Sequence, residues 1–389
     1  MIKKEIILAY ALANALKHGK AIVSAVLPKL FQFGLKKEEI KEIMPIVKKI
    51  VAEVNAMSNE EKEKKFAELK NLIKTREERK GLPELEVKGK LVMRLAPFPS
   101  GPLHIGNVRP FLLNDEYVKK YKGKLLLVID DTIGSEEKQI VKEAYDLIPE
   151  GLEWLGICFE KPIIYKSDRL EIYYEYAEKL IKLGKAYVCF CKAEEMHRYR
   201  AEGKECEHRN ASIEENLENW RKMLQGEFKP GEATLRLKTD MQHKNPAFRD
   251  RVLFRIVDRE HPRVGKKYKV WPMLEMSWAI DDHLLGITHV LRGKELMIET
   301  EMEKYIFSIF DWPIPEFIHT GILQFEGIKL SKSKAQKEVA SGKYFGWDDP
   351  RTWSIQSLRR RGFQPEAIRN FILQFGLTQT EIKIPLEVL

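Results

Sequence analysis

The chain has 389 residues, 44% of them hydrophobic and 32% charged, with a net charge of +9. That length allows two or three domains around a large core, and four cysteines exclude a disulfide scaffold, so a reduced cytoplasmic setting is expected. No apolar run approaches ~18 residues and the start has no apolar core followed by small residues, so neither a membrane span nor a signal peptide is expected. The basic excess would attract a polyanion but does not identify one.

Residues 1–88 read as an N-terminal helical region. Ser58 and Glu61 have the spacing of a capping box for a helix running to near Lys80. The run Glu60-Glu61-Lys62-Glu63-Lys64-Lys65 reads as its solvated face. Residues 89–185 then alternate strand and helix. Lys90 to Leu95 reads as a short strand. It runs into Ala96-Pro97-Phe98-Pro99-Ser100-Gly101-Pro102-Leu103-His104-Ile105-Gly106-Asn107. The prolines and Gly101 force a tight turn, and the spacing after it predicts a helix from Val108 to Lys120. His104 and Gly106 therefore stand at a helix start, where unpaired N–H groups and a positive dipole end favour a phosphate. Gly106 leaves room for a flat base against the backbone. His104 can donate a hydrogen bond to a phosphate whose charge builds during displacement. Lys124 to Asp130 is a continuous apolar run, as expected of a strand buried on both faces. Asp168 and Glu171 read as caps of a helix carrying Ile172, Tyr176, Leu180 and Leu183, and Gly184 ends it. The repetition predicts an α/β fold with a Rossmann-like parallel sheet and right-handed crossovers. The proline-rich loop then lies at the carboxyl end of the first strand, where such sheets bind ligands.

Residues 186–269 change texture and read as an insertion between two halves of the sheet. Cys189-Phe190-Cys191 and Cys206-Glu207-His208 offer four N/S ligands in two close pairs, which suits a tetrahedral structural zinc. Two unrelated thiol pairs in a reduced cytosol are the alternative. Cys158 stands alone and reads as a small core residue. Residues 270–336 resume the α/β pattern, with Ile287 to Leu291 as a strand. Asp281-Asp282-His283 has the composition of a metal triplet, but a helix N-cap or a satisfied polar turn is preferred. His243, His261 and His319 have no evident partner. A strand-like run, Gly321 to Phe325, and a turn at Glu326-Gly327 lead into Lys329-Leu330-Ser331-Lys332-Ser333-Lys334. Lysine is a flexible point charge suited to a phosphate that moves during reaction, and hydroxyls and loop N–H groups add neutral donors. A solvated basic loop is the alternative. Residues 337–389 read as mostly helical, with Arg359-Arg360-Arg361 as the most basic cluster.

In this order, the proline-rich string and the Lys/Ser string resemble the HIGH and KMSKS signatures of class I aminoacyl-tRNA synthetases. From about Leu91 to Glu387 the chain is similar to archaeal-type glutamyl-tRNA synthetases. The likeness includes Asp130-Asp131-Thr132, Trp154-Leu155-Gly156, Ser167-Asp168-Arg169-Leu170-Glu171, His261-Pro262-Arg263-Val264-Gly265, Gly286-Ile287-Thr288-His289 and Gly346-Trp347-Asp348-Asp349-Pro350-Arg351. Residues 1–88 match more loosely. The resemblance implies a catalytic domain split into 89–185 and 270–336, an acceptor-binding insertion at 186–269 with its zinc, and a helical stem-contact region at 337–389.

The resemblance also implies a reaction. Glutamate's α-carboxylate attacks the α-phosphate of Mg-ATP, and the terminal adenosine of tRNA then takes the acyl group. By matching position, His104 and Lys332 are the catalytic residues. His104, Gly106, Asn107, Ser331, Lys332 and Ser333 hold ATP. Arg94, Asp130 and Arg292 hold glutamate, with Asp130 on its α-amino group. Arg292 stands where glutamyl enzymes have arginine, and a buried carboxylate needs a fixed cationic fork. The metal ligands are Cys189, Cys191, Cys206 and His208. Implied partners are glutamate and the acceptor arm of tRNA; the sequence stops near Leu389, where the family's anticodon-binding barrels would begin, which is expected of a fragment, of one half of a split enzyme with a separate anticodon-binding chain, or of a short paralogue. Some positions depart from the family pattern: Val128 for arginine, Ile133-Gly134 for Asp-Pro, Phe98 for a polar residue, and Leu274-Glu275 for Tyr-Asn. Two other readings are a barrel-less paralogue that glutamylates a modified tRNA base, and a catalytically silent tRNA-binding or assembly subunit.

Overall fold

The computed structural model describes residues 3–35, 37–73, 81–133, 139–327, 330 and 332–385. Two compact units follow each other along the chain, Met1–Lys80 and Gly81–Leu389. The first is helical: α1 (Lys4–His18), α2 (Val23–Leu30), α3 (Ile40–Ala56) and α4 (Asn59–Leu69). On α3 the buried residues Ile43, Val47, Ile50, Val51 and Val54 recur at helical spacing and pack against Ile7, Leu12, Val26 and Leu30. Asn55 fixes the α1–α2 connection by accepting from Ala21 N at 2.8 Å and donating to Ala21 O at 2.9 Å. The expected capping box forms. Ser58 Oγ accepts from Glu61 N, and Glu61 Oε2 accepts from Ser58 N. Helix α4 ends at Leu69, short of Lys80, and residues 74–80 lie outside the described residues.

The second unit starts with β1 (Val92–Leu95), α5 (Arg109–Tyr121), β2 (Lys124–Ile129), α6 (Ala144–Trp154), β3 (Glu160–Tyr165) and α7 (Leu170–Lys182). Its first sheet is parallel, in the order β1-β2-β3. An antiparallel sheet follows, built from β4 (Ala186–Cys189), β5 (Thr234–Leu237), β6 (Val252–Ile256) and β7 (Val270–Pro272), with α8 (Ala193–Glu202) and α9 (Ile213–Gln225) between β4 and β5. The chain then returns through α10 (Leu274–Leu284), β8 (His289–Gly293), α11 (Met297–Ile309) and β9 (Glu316–Thr320), with β8 and β9 parallel. Thr288 N donates to Val92 O at 2.9 Å and Thr288 Oγ1 accepts from Val92 N at 3.0 Å. These bonds set β8 beside β1, so the parallel strands run β9-β8-β1-β2-β3. The unit ends with β10 (Leu323–Phe325), α12 (Lys332–Ala340), α13 (Ile355–Arg360), α14 (Pro365–Leu373) and β11 (Ile382–Ile384). No described helix is long and apolar enough to cross a membrane.

Three expectations need correction. Asp168 does not cap α7. A short 3₁₀ turn, Lys166–Arg169, precedes the helix, and its N-cap position, Arg169, makes no side-chain cap bond. Asp168 instead takes Arg263 at 2.7 Å, so an ion pair across the fold outcompetes the local cap. Cys158 is exposed, not core; it follows the left-handed Gly156 turn, outside both α6 and β3. Asp281-Asp282-His283 is neither N-cap nor turn but the end of α10, which begins at Leu274.

Arg109 is a structural tie the sequence does not advertise. It is buried at the start of α5 and donates to Gly321 O at 2.9 Å and Gly376 O at 2.8 Å. It thereby anchors the segments leading into β10 and out of α14. Removing it strands two carbonyls, each worth about 1–3 kcal/mol when left unpaired. Arg109→Leu is expected to cost about 2–5 kcal/mol in urea unfolding; a change below about 0.5 kcal/mol would mean that the tie is idle.

Candidate active site

Beyond Leu95 the chain cannot remain a strand, because Pro97, Pro99 and Pro102 bring no N–H. Gly101 turns the loop at φ +138°, and a Cβ there would lie 2.7 Å from the Trp347 ring, so glycine is required. His104 N donates to Asn107 Oδ1 at 2.9 Å, and Asn107 N donates back to His104 O at 2.9 Å. Gly106 N donates to His104 Nδ1 at 3.2 Å. Accepting through Nδ1 leaves the ring proton on Nε2, which makes His104 a neutral donor. Ile105 N donates to Trp353 O, and Ile355 N to Leu103 O, so the loop is stitched to the start of α13.

The second string comes to the same place. A Cβ on Gly106 would lie 2.5 Å from Leu330 Cδ1. Lys332 and Ser333 open α12, whose N-terminal end favours anions. Lys329 and Ser331 lie outside the described residues. Between the strings is a cleft of about 480 Å³, bounded by His104, Gly106, Asn107, Gly293, Gln324 and Leu330 among others. That volume suits a nucleotide.

A smaller pocket of about 150 Å³ adjoins it and shares Asn107, Pro110, Gly293 and Glu295. Arg94, Asn114, Trp278 and Arg292 line its other sides. Arg94 is buried and held from behind by Asp282 in a bidentate pair, Nε–Oδ1 2.8 Å and Nη2–Oδ2 2.9 Å. Arg292 is held by Thr300 Oγ1 at 2.7 Å. Its Nη1 also lies 2.7 Å from Glu303 Oε1, off the line of a hydrogen bond. The ring of Trp278 has three cations near its centre: Arg94 at 5.1 Å, Lys166 at 4.9 Å and Arg292 at 4.7 Å. Cation–π attraction holds charges that would otherwise repel.

Asp130 lines neither space. Its carboxylate meets Lys166 Nζ at 3.4 Å and Thr132 Oγ1 at 3.1 Å. Lys166 is fully buried and donates to Ser277 Oγ at 2.8 Å. Burial pushes its ammonium below the usual lysine range, against the pull of Asp130 and Asp281. The end of α10 is paired throughout: Asp281 with Arg169 and Tyr173, Asp282 with Arg94, and His283 stacked on Trp312 at 3.7 Å. The three histidines also have partners. His261 Nε2 sits 2.7 Å from Asp131 O, His319 Nε2 sits 2.9 Å from Thr300 Oγ1, and His243 Nδ1 accepts from Asn245 N. Sequence reasoning missed Trp278, Lys166, Asp282 and Glu303. The one available signal was the four-residue spacing of Trp278 and Asp282 on α10.

The four proposed metal ligands do converge. Cys189 ends β4, and Cys206 stands at the N-cap of a short 3₁₀ turn, Glu207–Asn210, that contains His208. The ligand atoms of Cys189, Cys191, Cys206 and His208 all lie within 4.8 Å of one another. Cys189 and Cys206 sulfurs are 3.9 Å apart, and Cys191 Sγ is 3.4 Å from His208 Nδ1. A tetrahedral zinc with ordinary bond lengths needs about 3.8 Å between sulfurs and about 3.6 Å from sulfur to nitrogen. The arrangement fits.

Residues 90–387 match the family described as tRNA synthetases class I (E and Q), catalytic domain. The chain belongs to that family. It is 48% identical to a glutamate–tRNA ligase of Methanocaldococcus jannaschii over 99% of this chain and 69% of the relative. It is also 48% identical to one of Pyrococcus furiosus over 98% of this chain and 68% of the relative. A crystal structure of a glutamate tRNA ligase from Elizabethkingia meningosepticum, in complex with its amino acid, aligns at a TM-score of 0.52 and 27% identity, covering 73% of this chain and 60% of that one. As a member of this family, the chain has the class I catalytic fold that the parallel strands indicate.

The Gly106 contact generates a test. A methyl group there meets the movable tip of Leu330 and, at 3.3 Å, the ring of His104, both side chains rather than backbone. Gly106→Ala should therefore leave thermal stability nearly unchanged while raising the KM for ATP about five- to tenfold. An unchanged ATP KM would remove Gly106 from the nucleotide cleft.

Proposed function

We propose that this glutamate–tRNA ligase chain binds ATP in the cleft between the two signature strings and glutamate in the small pocket beside it. One observation carries this reading: two arginines line a pocket of about 150 Å³ that shares a wall with a nucleotide-sized cleft. Arg94 and Arg292 would receive glutamate's carboxylate and keep the amino acid at the cleft wall. Its α-carboxylate oxygen attacks the α-phosphorus of ATP. A P–O bond forms to the acyl group, the bond to pyrophosphate breaks, and pyrophosphate carries the electron pair away. Magnesium bound with ATP supplies charge neutralisation on the phosphates. His104 Nε2–H donates to the phosphate as charge develops, and Lys332 with Ser331 and Ser333 draws on the leaving pyrophosphate. Asp130 enters as the partner of Lys166, fixing the floor below Trp278. The 3′-terminal ribose of tRNA then takes the glutamyl group and AMP leaves.

The segment 186–269, with its antiparallel sheet, is read as the acceptor-binding insertion. Cys189, Cys191, Cys206 and His208 would hold one zinc at its root, where the metal supplies rigidity, not chemistry. The acceptor arm of tRNA is the polyanion that the chain's basic excess suits.

Two outcomes are expected. Lys332→Ala should lower tRNA-dependent glutamate–pyrophosphate exchange by about 100-fold with little change in glutamate KM; a rise in KM at constant rate would refute a transition-state role. Protein purified without a metal-binding tag should carry about one zinc. Its removal should weaken tRNA use more than ATP binding. Full charging activity by metal-free protein would eliminate the structural role.

A further inference from the structure

Glu303 of α11 is completely buried behind the wall of the small pocket. Its Oε1 lies 2.7 Å from Arg292 Nη1, yet neither carboxylate oxygen accepts an aligned hydrogen bond. Three charged groups face it: Arg292 from β8, Asp282 from α10 and Arg94 from β1. On its own helix, Thr300 bridges Arg292 to His319 of β9. Asp282 is already engaged by both forks of Arg94. Arg94 with Asp282, and Arg292 with Glu303, thus form two balanced pairs before any ligand arrives.

A carboxylate entering this pocket breaks that balance. Three negative groups would then face two guanidinium groups where charge is poorly screened. The excess is most easily removed by protonating the carboxylate with the fewest hydrogen bonds, which is Glu303. Burial, and then the neighbouring Asp282, already push its carboxyl up to about 7, against the pull of Arg292 and Arg94.

We propose that binding of glutamate's side-chain carboxylate at Arg292 is coupled to uptake of one proton by Glu303, which makes Glu303 a charge-balancing, positioning residue of the amino-acid pocket. The inference rests on the reading of Arg292 as the contact to that carboxylate. The balance is simple. Glutamate and one proton enter together, Glu303 becomes neutral, and Arg292 turns its charge to the ligand. Glutamine carries no side-chain charge and takes up no proton.

The test compares glutamate with glutamine in tRNA-dependent pyrophosphate exchange from pH ~6 to ~8.5. The α-amino group and tRNA titrate alike for both, so the ratio of the two KM values isolates the side chain. In the wild-type chain, glutamate KM relative to glutamine KM should rise by up to about tenfold per pH unit above the Glu303 titration. In Glu303→Gln the ratio should be flat and, at pH ~8, about tenfold lower. A flat wild-type ratio, or a slope that survives Glu303→Gln, would overturn the proposal. Calorimetry of wild-type chain with glutamate, in two buffers of different ionisation enthalpy near pH ~7.5, needs no variant. It should show net proton uptake with glutamate and none with glutamine, and no uptake with glutamate would equally overturn it. Arg292→Cys separates the two readings. If it abolishes the preference for glutamate while wild type shows no proton linkage, only the coupling fails. If it leaves the preference intact, the assignment of Arg292 itself fails.

Discussion

The buried bidentate pair between Arg94 and Asp282 is the constraint on which the active site depends. It joins the end of β1, just before the proline-rich loop, to the last turns of α10, at a sequence separation of 188. Both side chains are almost wholly shielded from water. Removing one partner would leave an uncompensated buried charge, at a cost of about 3–5 kcal/mol. The pair aims Arg94 into the small pocket and brings Trp278, one helical turn before Asp282, between Arg94 and Arg292. The Thr288–Val92 bonds place β8 beside β1 at the same level, so Arg292 reaches the opposite wall. One ion pair and one strand edge therefore set the spacing of both arginines, and the loop carrying His104 leaves from the same strand.

Much of the frame was legible in sequence because it is local. The helix after the proline-rich loop runs from Arg109 to Tyr121 against an expected Val108 to Lys120, since apolar spacing and loop prolines both mark its start. The capping box at Ser58 needs only four residues and forms as read. The Cys/Cys and Cys/His pairs converge from the end of β4 and the short turn at Glu207–Asn210. The two strings meet at Gly106 and Leu330. What stands behind the arginines was not legible. Asp282, Glu303 and Trp278 act through contacts between β1, α10, β8 and α11, Lys166 reaches Ser277 of α10 from the 3₁₀ turn before α7, and no local pattern encodes those pairings. Helix α10 is buried on nearly every face, so it lacks the amphipathic stripe that would have fixed its limits. Its aspartates were accordingly read as a cap or turn. His261 was likewise opaque, because its partner is a backbone carbonyl, Asp131 O, 130 residues away.

The positions that depart from the family pattern acquire physical meaning in this frame. Val128 is buried in β2 where the family commonly has arginine. The cation beside Asp130 is Lys166, which is also buried. Glu275 is buried and paired with Arg251, so that departure belongs to the contact between α10 and the start of β6. Gly134 lies outside the described residues, and nothing in the structure explains Phe98. The small pocket is thus lined by two arginines, each backed by a buried carboxylate, Asp282 for Arg94 and Glu303 for Arg292.

Transfer of glutamate to the terminal ribose is the step in which pocket, cleft and tRNA must act together. It can be followed with labelled glutamate, ATP and tRNA whose terminal ribose is either intact or oxidised by periodate. The chain should label intact tRNA and lose that labelling when the ribose is oxidised. Label that survives oxidation would assign the glutamyl group to a base, and an absence of label on intact tRNA would contradict the ligase reading of this site.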